Sequence, residues 1–145
     1  MHKSFVKFLK CPLTEEDLKL TIIEKNKDEI ITGKLINKSK NINYEIINGI
    51  PRFVNTNNYS KSFGLQWKKW SRVQFDSDNI GKPMENYTSK MLNKITEFDK
   101  ENLKNKKILE IGCGSGRFLD VLSNQNCVLF GIDNSASIDV TKKNL

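Results

Sequence analysis

The most constraining feature of the sequence is a glycine-rich stretch, 112–116, set between two apolar runs. The first run, 108–111, leads directly into the glycines, and the second, 128–132, ends in Asp133. Between them, residues 117–122 place four apolar side chains on one face of a helix. This order predicts strand, glycine loop, helix, strand and acid, which is the first half of a doubly wound α/β sheet.

The composition of this loop indicates which ligand it binds. Glycines allow a sharp turn and a close approach of a ligand to the main chain, and the following helix directs free N–H groups toward it. Asp133 lies 21 residues after Gly112, where a carboxylate accepts the hydroxyls of an adenosine ribose. A dinucleotide fingerprint needs a third glycine where Arg117 stands. The carboxylate of Glu110, two residues before the loop, suits a cationic ligand such as an amino acid sulfonium better than a diphosphate.

Both motifs resemble those of a known enzyme family. Residues 108–118 resemble the first motif of class I S-adenosylmethionine-dependent methyltransferases, and residues 131–135 resemble their acidic second motif. The resemblance implies S-adenosyl-L-methionine as cofactor, with Glu110 orienting the loop or the cofactor's amino group, Asp133 holding the ribose and Asn134 near the adenine. The implied cofactor-binding residues are Glu110, Gly112, Cys113, Gly114, Gly116, Asp133 and Asn134. No catalytic residue is predicted, and the sequence does not identify the methyl acceptor.

The segment before the loop is predicted to be helical, after a polar linker at 55–58. Its first helix starts at about residue 62 and places three aromatic residues on one face, which either pack in a core or line a ligand site: Phe63, Trp67 and Trp70. A second helix is predicted over 89–103, with an apolar stripe of Met91, Leu92, Ile95 and Phe98. A further helix is predicted to follow a cap at Asn134 or Ser135.

The first 54 residues are predicted to form a small β-rich module with strands at 20–24, 30–36 and 42–47. We expect a β-bulge at Gly33, a tight turn with positive φ at Asn48 and Gly49, and an edge or a stop at Pro51.

This module also resembles a known domain. Its pieces 9–12, 31–35 and 48–53 are similar to the zinc-ribbon-like domain that is found free as an activator of tRNA and protein methyltransferases. Paired cysteines bind zinc in that domain, but Thr14 stands where the partner of Cys11 is expected, so we predict no metal. The predicted domains are therefore 1–54 (β-rich module), 55–107 (linker and lead-in helices) and 108–145 (start of a cofactor-binding domain).

Charge and cysteine content restrict the class of protein. The chain of 145 residues has a net charge of +7, but residues 108–145 hold three of the 24 basic and four of the 17 acidic residues. Nucleic-acid binding is therefore possible but unsupported. Three scattered cysteines and the absence of an apolar membrane-spanning run favour a cytoplasmic protein.

Three functional hypotheses follow. The first is a methyltransferase, of which this sequence is the front part or a truncated product, poorly stable and inactive alone. The second is a non-enzymatic module that docks onto another protein. The third is an NAD(P)-dependent oxidoreductase. The oligomeric state is not predictable from the sequence.

Overall fold

Two units make up the chain, Met1–Asn55 and Thr56–Leu145. The computed structural model describes residues 1–55, 61–98 and 100–145. Most of the predicted linker at 55–58 and the side chain of Phe63 lie outside the described part.

The first unit is an antiparallel sheet whose four strands follow one another in chain order. The strands are β1 (Lys19–Asn26), β2 (Glu29–Asn37), β3 (Ile42–Ile47) and β4 (Ile50–Arg52), and a 3-10 helix, Lys3–Phe8, precedes them. The three predicted strands are thus confirmed. Because side chains alternate between the faces of a strand, one face forms the core of this unit. That core consists of Cys11, Leu18, Ile30, Leu35, Tyr44 and Ile46.

Two of the three turn and edge predictions for this unit are confirmed. Asn48 and Gly49 have φ values of 51° and 71°, as the predicted tight turn requires. Pro51 lies in β4, which pairs only with β3 among the described residues and therefore needs no second row of hydrogen bonds.

The predicted bulge at Gly33 is wrong. Two register shifts occur between β1 and β2, one at Ile23 of β1 and one at Ile31 of β2, whereas Gly33 itself keeps its pairs, Ile22 on one side and Ile46 on the other. A Cβ atom on Gly33 would lie only 2.6 Å from the carbonyl oxygen of Thr21. Glycine is therefore required because the backbone of β1 comes so close.

The second unit combines helices with two parallel strands. Its elements are α1 (Lys61–Lys69), a 3-10 helix (Asp76–Asp78), α2 (Tyr87–Ile95), α3 (Lys100–Leu103), β5 (Lys107–Ile111), α4 (Arg117–Leu122), β6 (Val128–Ile132) and α5 (Ser137–Asn144). Strands β5 and β6 pair in parallel, and α4 connects them. The predicted strand–loop–helix–strand order is confirmed, and this unit is α/β.

In the second unit, the strands β5 and β6 bury apolar side chains on one face only among the described residues. Leu92, Leu103 and Leu122 form its buried cluster, and Ile108 and Leu129 of the strands pack against it. The prediction that 108–111 is a buried strand is wrong for Leu109 and Ile111, which are 54% and 77% exposed. Their side chains lie on the opposite face of β5 from Ile108, because successive residues of a strand alternate between faces.

The helical lead-in also differs from its prediction. The single helix expected over 89–103 is two helices, because Thr96 is extended and ends α2, its hydroxyl donating to the Leu92 carbonyl. Ile95 and Phe98, placed by the prediction in the apolar stripe, are exposed. Trp70 lies just beyond α1 and is also exposed, so it does not share a buried helical face with Trp67.

Within the described residues, none of the helices combines the length and the apolar character needed to span a lipid bilayer.

Candidate functional site

The glycine loop turns over the carboxyl end of β6. Gly112, Gly114 and Gly116 have φ values of 75°, 55° and 89°, a region that favours glycine. The N–H groups of Gly112 and Cys113 both donate to the Ile132 carbonyl, at 2.8 and 3.1 Å. The first and second motifs are therefore joined through the main chain at the end of the sheet.

Asp133 lies directly against this loop. Its Oδ2 accepts the Gly114 N–H at 3.0 Å, and its Oδ1 accepts the N–H and the hydroxyl of Ser135 at 2.8 and 2.6 Å. Burial raises the pKa of Asp133, but these hydrogen bonds outweigh it and hold the pKa below its usual value. The Ser137 side chain also lowers the pKa of Asp133 through a hydrogen bond, so most of the roughly four acceptor sites of the carboxylate are in use.

Glu110 presents a carboxyl oxygen without a partner. Among the described residues nothing donates to its buried Oε2. Burial raises the pKa of Glu110 to about 7, and the positive charge of Arg117 only partly opposes this shift. A cationic or proton-donating group placed here would satisfy an acceptor that is otherwise costly to bury.

The remaining predicted residues differ in access. Gly112 is open, since no described atom beyond its chain neighbours lies within 4 Å of where a Cβ would be. Cys113 is buried, and this burial raises the pKa of its thiol to about 11, which favours the protonated thiol near neutral pH. Gly116 is closed off, because a Cβ there would lie 2.8 Å from Cγ2 of Thr141. Asn134 lies at the exposed surface.

The cap predicted for the last helix is only partly correct. The N-cap residue of α5 is Ala136, not Asn134 or Ser135, and its side chain makes no capping bond. The Ser135 hydroxyl nevertheless accepts the Ser137 N–H at 3.1 Å, so Ser135 supports the start of the helix while it donates to Asp133.

Several residues that contact the loop come from distant parts of the chain. A Cβ on Gly114 would lie 3.2 Å from Nε1 of Trp67, so α1 packs on the loop. Thr141 and Asn144 of α5 donate to loop carbonyls. The aromatic spacing of α1 pointed to Trp67, but no local pattern marks the two α5 residues.

Comparison with known proteins supports a methyltransferase. No curated protein matches the chain significantly. A solved structure, described as a complex of the Haloferax volcanii Trm112 methyltransferase activator with a proposed methyltransferase, matches with 36% identity and a TM-score of 0.37, over 38% of this chain and 93% of that chain. A likeness at this TM-score carries no conclusion about the fold. Residues 84–144 match a family model described as a methyltransferase domain, and this match supports methyl transfer as the general activity.

Proposed function

We propose that the chain is a class I methyltransferase that binds S-adenosyl-L-methionine at the carboxyl end of β5 and β6, in a sheet of the doubly wound type. The observation that carries the proposal is the hydrogen bond from the Gly114 N–H to Asp133, which brings the acid of the second motif against the glycine loop of the first. The match of residues 84–144 to a methyltransferase domain supports the same activity.

The donor and acceptor groups of the loop fit this cofactor. The unpartnered Oε2 of Glu110 accepts a hydrogen bond from an ammonium group, and the positive charge of that group lowers the pKa of the carboxyl. The open side of Gly112 allows the cofactor to approach the main chain. A diphosphate would instead bring negative charge toward Glu110 and Asp133.

Asp133 is suited to hold the ribose. Its carboxylate can accept one ribose hydroxyl directly. The Ser135 hydroxyl also lies 2.7 Å from the Ser137 hydroxyl, so it has an alternative acceptor when a second ribose hydroxyl replaces it on Asp133. Both hydroxyls of the ribose can then bind without leaving a buried donor unpaired.

The bound cofactor supplies a methyl group on a positively charged sulfur, which is already activated for transfer. The chain's own residues bind and orient it, because alignment of the reacting atoms accounts for most of the catalysis in such a reaction. Burial raises the pKa of the Cys113 thiol, so we assign it no nucleophilic role.

Calorimetry with S-adenosylhomocysteine on the full chain tests the proposal. We expect Asp133→Asn to weaken binding by about tenfold or more, because a charge-assisted hydrogen bond is lost. Asp17→Asn, at an exposed site in the first unit, is the matched control and leaves affinity unchanged. Since Asp133 also anchors the loop, Glu110→Gln is the second variant, and it weakens binding without loosening that anchor.

Two outcomes contradict the proposal. If Asp133→Asn and Glu110→Gln both bind S-adenosylhomocysteine as tightly as the wild type, neither residue belongs to the binding site. Binding of NAD⁺ in place of S-adenosylhomocysteine would favour an oxidoreductase, and binding of neither ligand would favour a docking module.

A further inference from the structure

One face of α5 lies along the carbonyl groups of the glycine loop. Thr141 Oγ1 donates to the Gly114 carbonyl at 2.7 Å, and Asn144 Nδ2 donates to the Ser115 carbonyl at 2.9 Å. Positions 141 and 144 are three residues apart in a helix, so their side chains share one face. Two successive peptide groups of the loop are therefore held by successive turns of the same helix.

Apolar atoms of α5 and of Leu145, the residue that follows it, complete this contact. Cγ2 of Thr141 and Cδ1 of Leu145 lie 2.8 and 3.2 Å from where a Cβ on Gly116 would be. Thr141 is buried. The requirement for glycine at position 116 thus comes from the close approach of α5, in addition to its φ of 89°.

Asn144 extends the contact to a segment outside the matched domain. Its Nδ2 also donates to the Ser71 carbonyl at 3.1 Å, and Arg72 Nη1 donates to the Asn144 carbonyl at 3.3 Å. Arg72 is itself fixed by two hydrogen bonds to the carboxylate of Asp78, at 2.9 and 2.8 Å. Asn144 is therefore held in place both by the helix to which it belongs and by hydrogen bonds with Ser71 and Arg72.

We propose that Thr141 is a positioning residue, which orients the Gly114–Ser115 peptide group for the cofactor without touching it. Asn144 holds the next peptide group, whose Gly116 N–H donates to the Cys113 carbonyl at 2.8 Å inside the loop. In a trans peptide the C=O and the N–H point in opposite directions. Anchoring the Gly114 carbonyl on α5 therefore turns the Ser115 N–H to the side of the loop away from α5. The inference rests on the proposed function, since it assigns these residues to the same cofactor site.

Thr141→Val tests the proposal most directly, because valine has nearly the same shape as threonine and keeps the methyl group against Gly116. It removes the hydroxyl that donates to the Gly114 carbonyl, together with the weaker contacts of that hydroxyl with the Ser137 carbonyl at 3.3 Å and the Cys113 thiol at 3.7 Å. We expect the affinity for S-adenosylhomocysteine, measured by calorimetry on the full chain, to fall about tenfold. Thr141→Ser keeps the hydroxyl and is expected to bind within about twofold of the wild type.

The control separates positioning from general stability. Thr96→Val also removes a hydroxyl that donates to a main-chain carbonyl, that of Leu92 in α2. Because the Leu92 carbonyl still accepts the Thr96 N–H at 2.9 Å, this variant is expected to lower the melting temperature less than Thr141→Val does and to leave the affinity unchanged. The second readout is the pair of Ser115 and Gly116 amide resonances in a ¹⁵N spectrum without ligand, which Thr141→Val shifts and Thr96→Val does not.

Each contrary outcome is decisive. Unchanged Ser115 and Gly116 amides in Thr141→Val would show that the α5 hydroxyl does not orient the loop. Equal affinity losses for Thr141→Val and Thr141→Ser would show that the hydroxyl is not the relevant group. If the wild type does not bind S-adenosylhomocysteine, the proposed function and the assignment of these residues to a cofactor site are both wrong. The amide shifts then still decide whether α5 orients the loop.

Discussion

The two units bury their strands in different ways. In the first unit, an antiparallel sheet has one apolar face, and the side chains on that face, such as Leu35 and Ile46, are fully buried. In the second unit, the parallel strands β5 and β6 are apolar on both faces, yet Leu109, Ile111 and Ile132 are about half exposed or more.

The difference follows from strand pairing. Antiparallel strands need one covered face, and short turns such as Asn48-Gly49 bring neighbouring strands together. Parallel strands carry apolar residues on both faces and are normally covered on both. The sheet of the first unit thus has the apolar face that its pairing requires, whereas β5 and β6 have apolar side chains on a second, exposed face.

The largest expected effect contrasts buried and exposed isoleucines. Ile46→Ala removes a fully buried side chain in the first unit and is expected to lower the free energy of unfolding by about 2–5 kcal/mol. Ile111→Ala in the second unit is expected to change it by less than about 0.5 kcal/mol. Hydrogen exchange of the amides of β2 and β3, and of β5 and β6, measures both. A large loss in Ile111→Ala would contradict the one-sided burial.

Glycine substitutions are expected to give the next largest loss of stability, and they separate steric clash from backbone strain as its cause. Gly33→Ala forces a Cβ against the Thr21 carbonyl, and we expect a loss of about 1–3 kcal/mol. Gly112→Ala meets open space but is strained by its positive φ, with a loss of about 1–2 kcal/mol. Gly112→Asn tolerates that conformation better and is expected to recover part of the loss, whereas Gly33→Asn is not. Urea denaturation measures all four variants.

The smallest expected change in stability depends on pH. Replacing a glutamate with glutamine is expected to stabilise the second unit and to destabilise the first at high pH. Because burial raises the pKa of Glu110 to about 7, the stability associated with its protonated form is present at low pH and is lost as pH rises toward 7. Glu110→Gln is therefore expected to match the wild type near pH 4 and to be more stable at pH 8, by on the order of 1–2 kcal/mol once partial solvent screening is allowed for.

Glu16 of the first unit provides the opposite case. Hydrogen bonds from Ser39 and Asn37 lower its pKa, so its contribution is present above the normal pKa of a glutamate and is lost as pH falls. Glu16→Gln is expected to be less stable than the wild type at pH 8 and equal to it at low pH. Thermal melts of both variants across this range check the signs, and parallel pH profiles would refute the contrast.

Sequence patterns correctly predicted the structural elements that depend only on residues close together in the chain. The glycine loop, the strands on either side of it and the turn at Asn48 all depend on neighbouring residues, and each lies where it was expected. The helix over 89–103 failed because its apolar spacing continues through Thr96, where the chain is extended. The prediction of a bulge at Gly33 was wrong because a glycine inside a strand is typical both of a bulge and of a close approach by another backbone. Only the position of the neighbouring strand decides between these two causes.

The candidate site shows the same division. Residue order alone was enough to place Glu110, the glycines and Asp133 at the end of two strands, because the carboxyl ends of parallel strands meet at one edge of a sheet. The aromatic spacing of α1 indicated Trp67, but contacts of the loop with Thr141 and Asn144 depend on how α5 packs, and no local pattern encodes them. Short-range conformational preferences thus specify the loop, whereas its support comes from side chains that meet only when distant segments fold together.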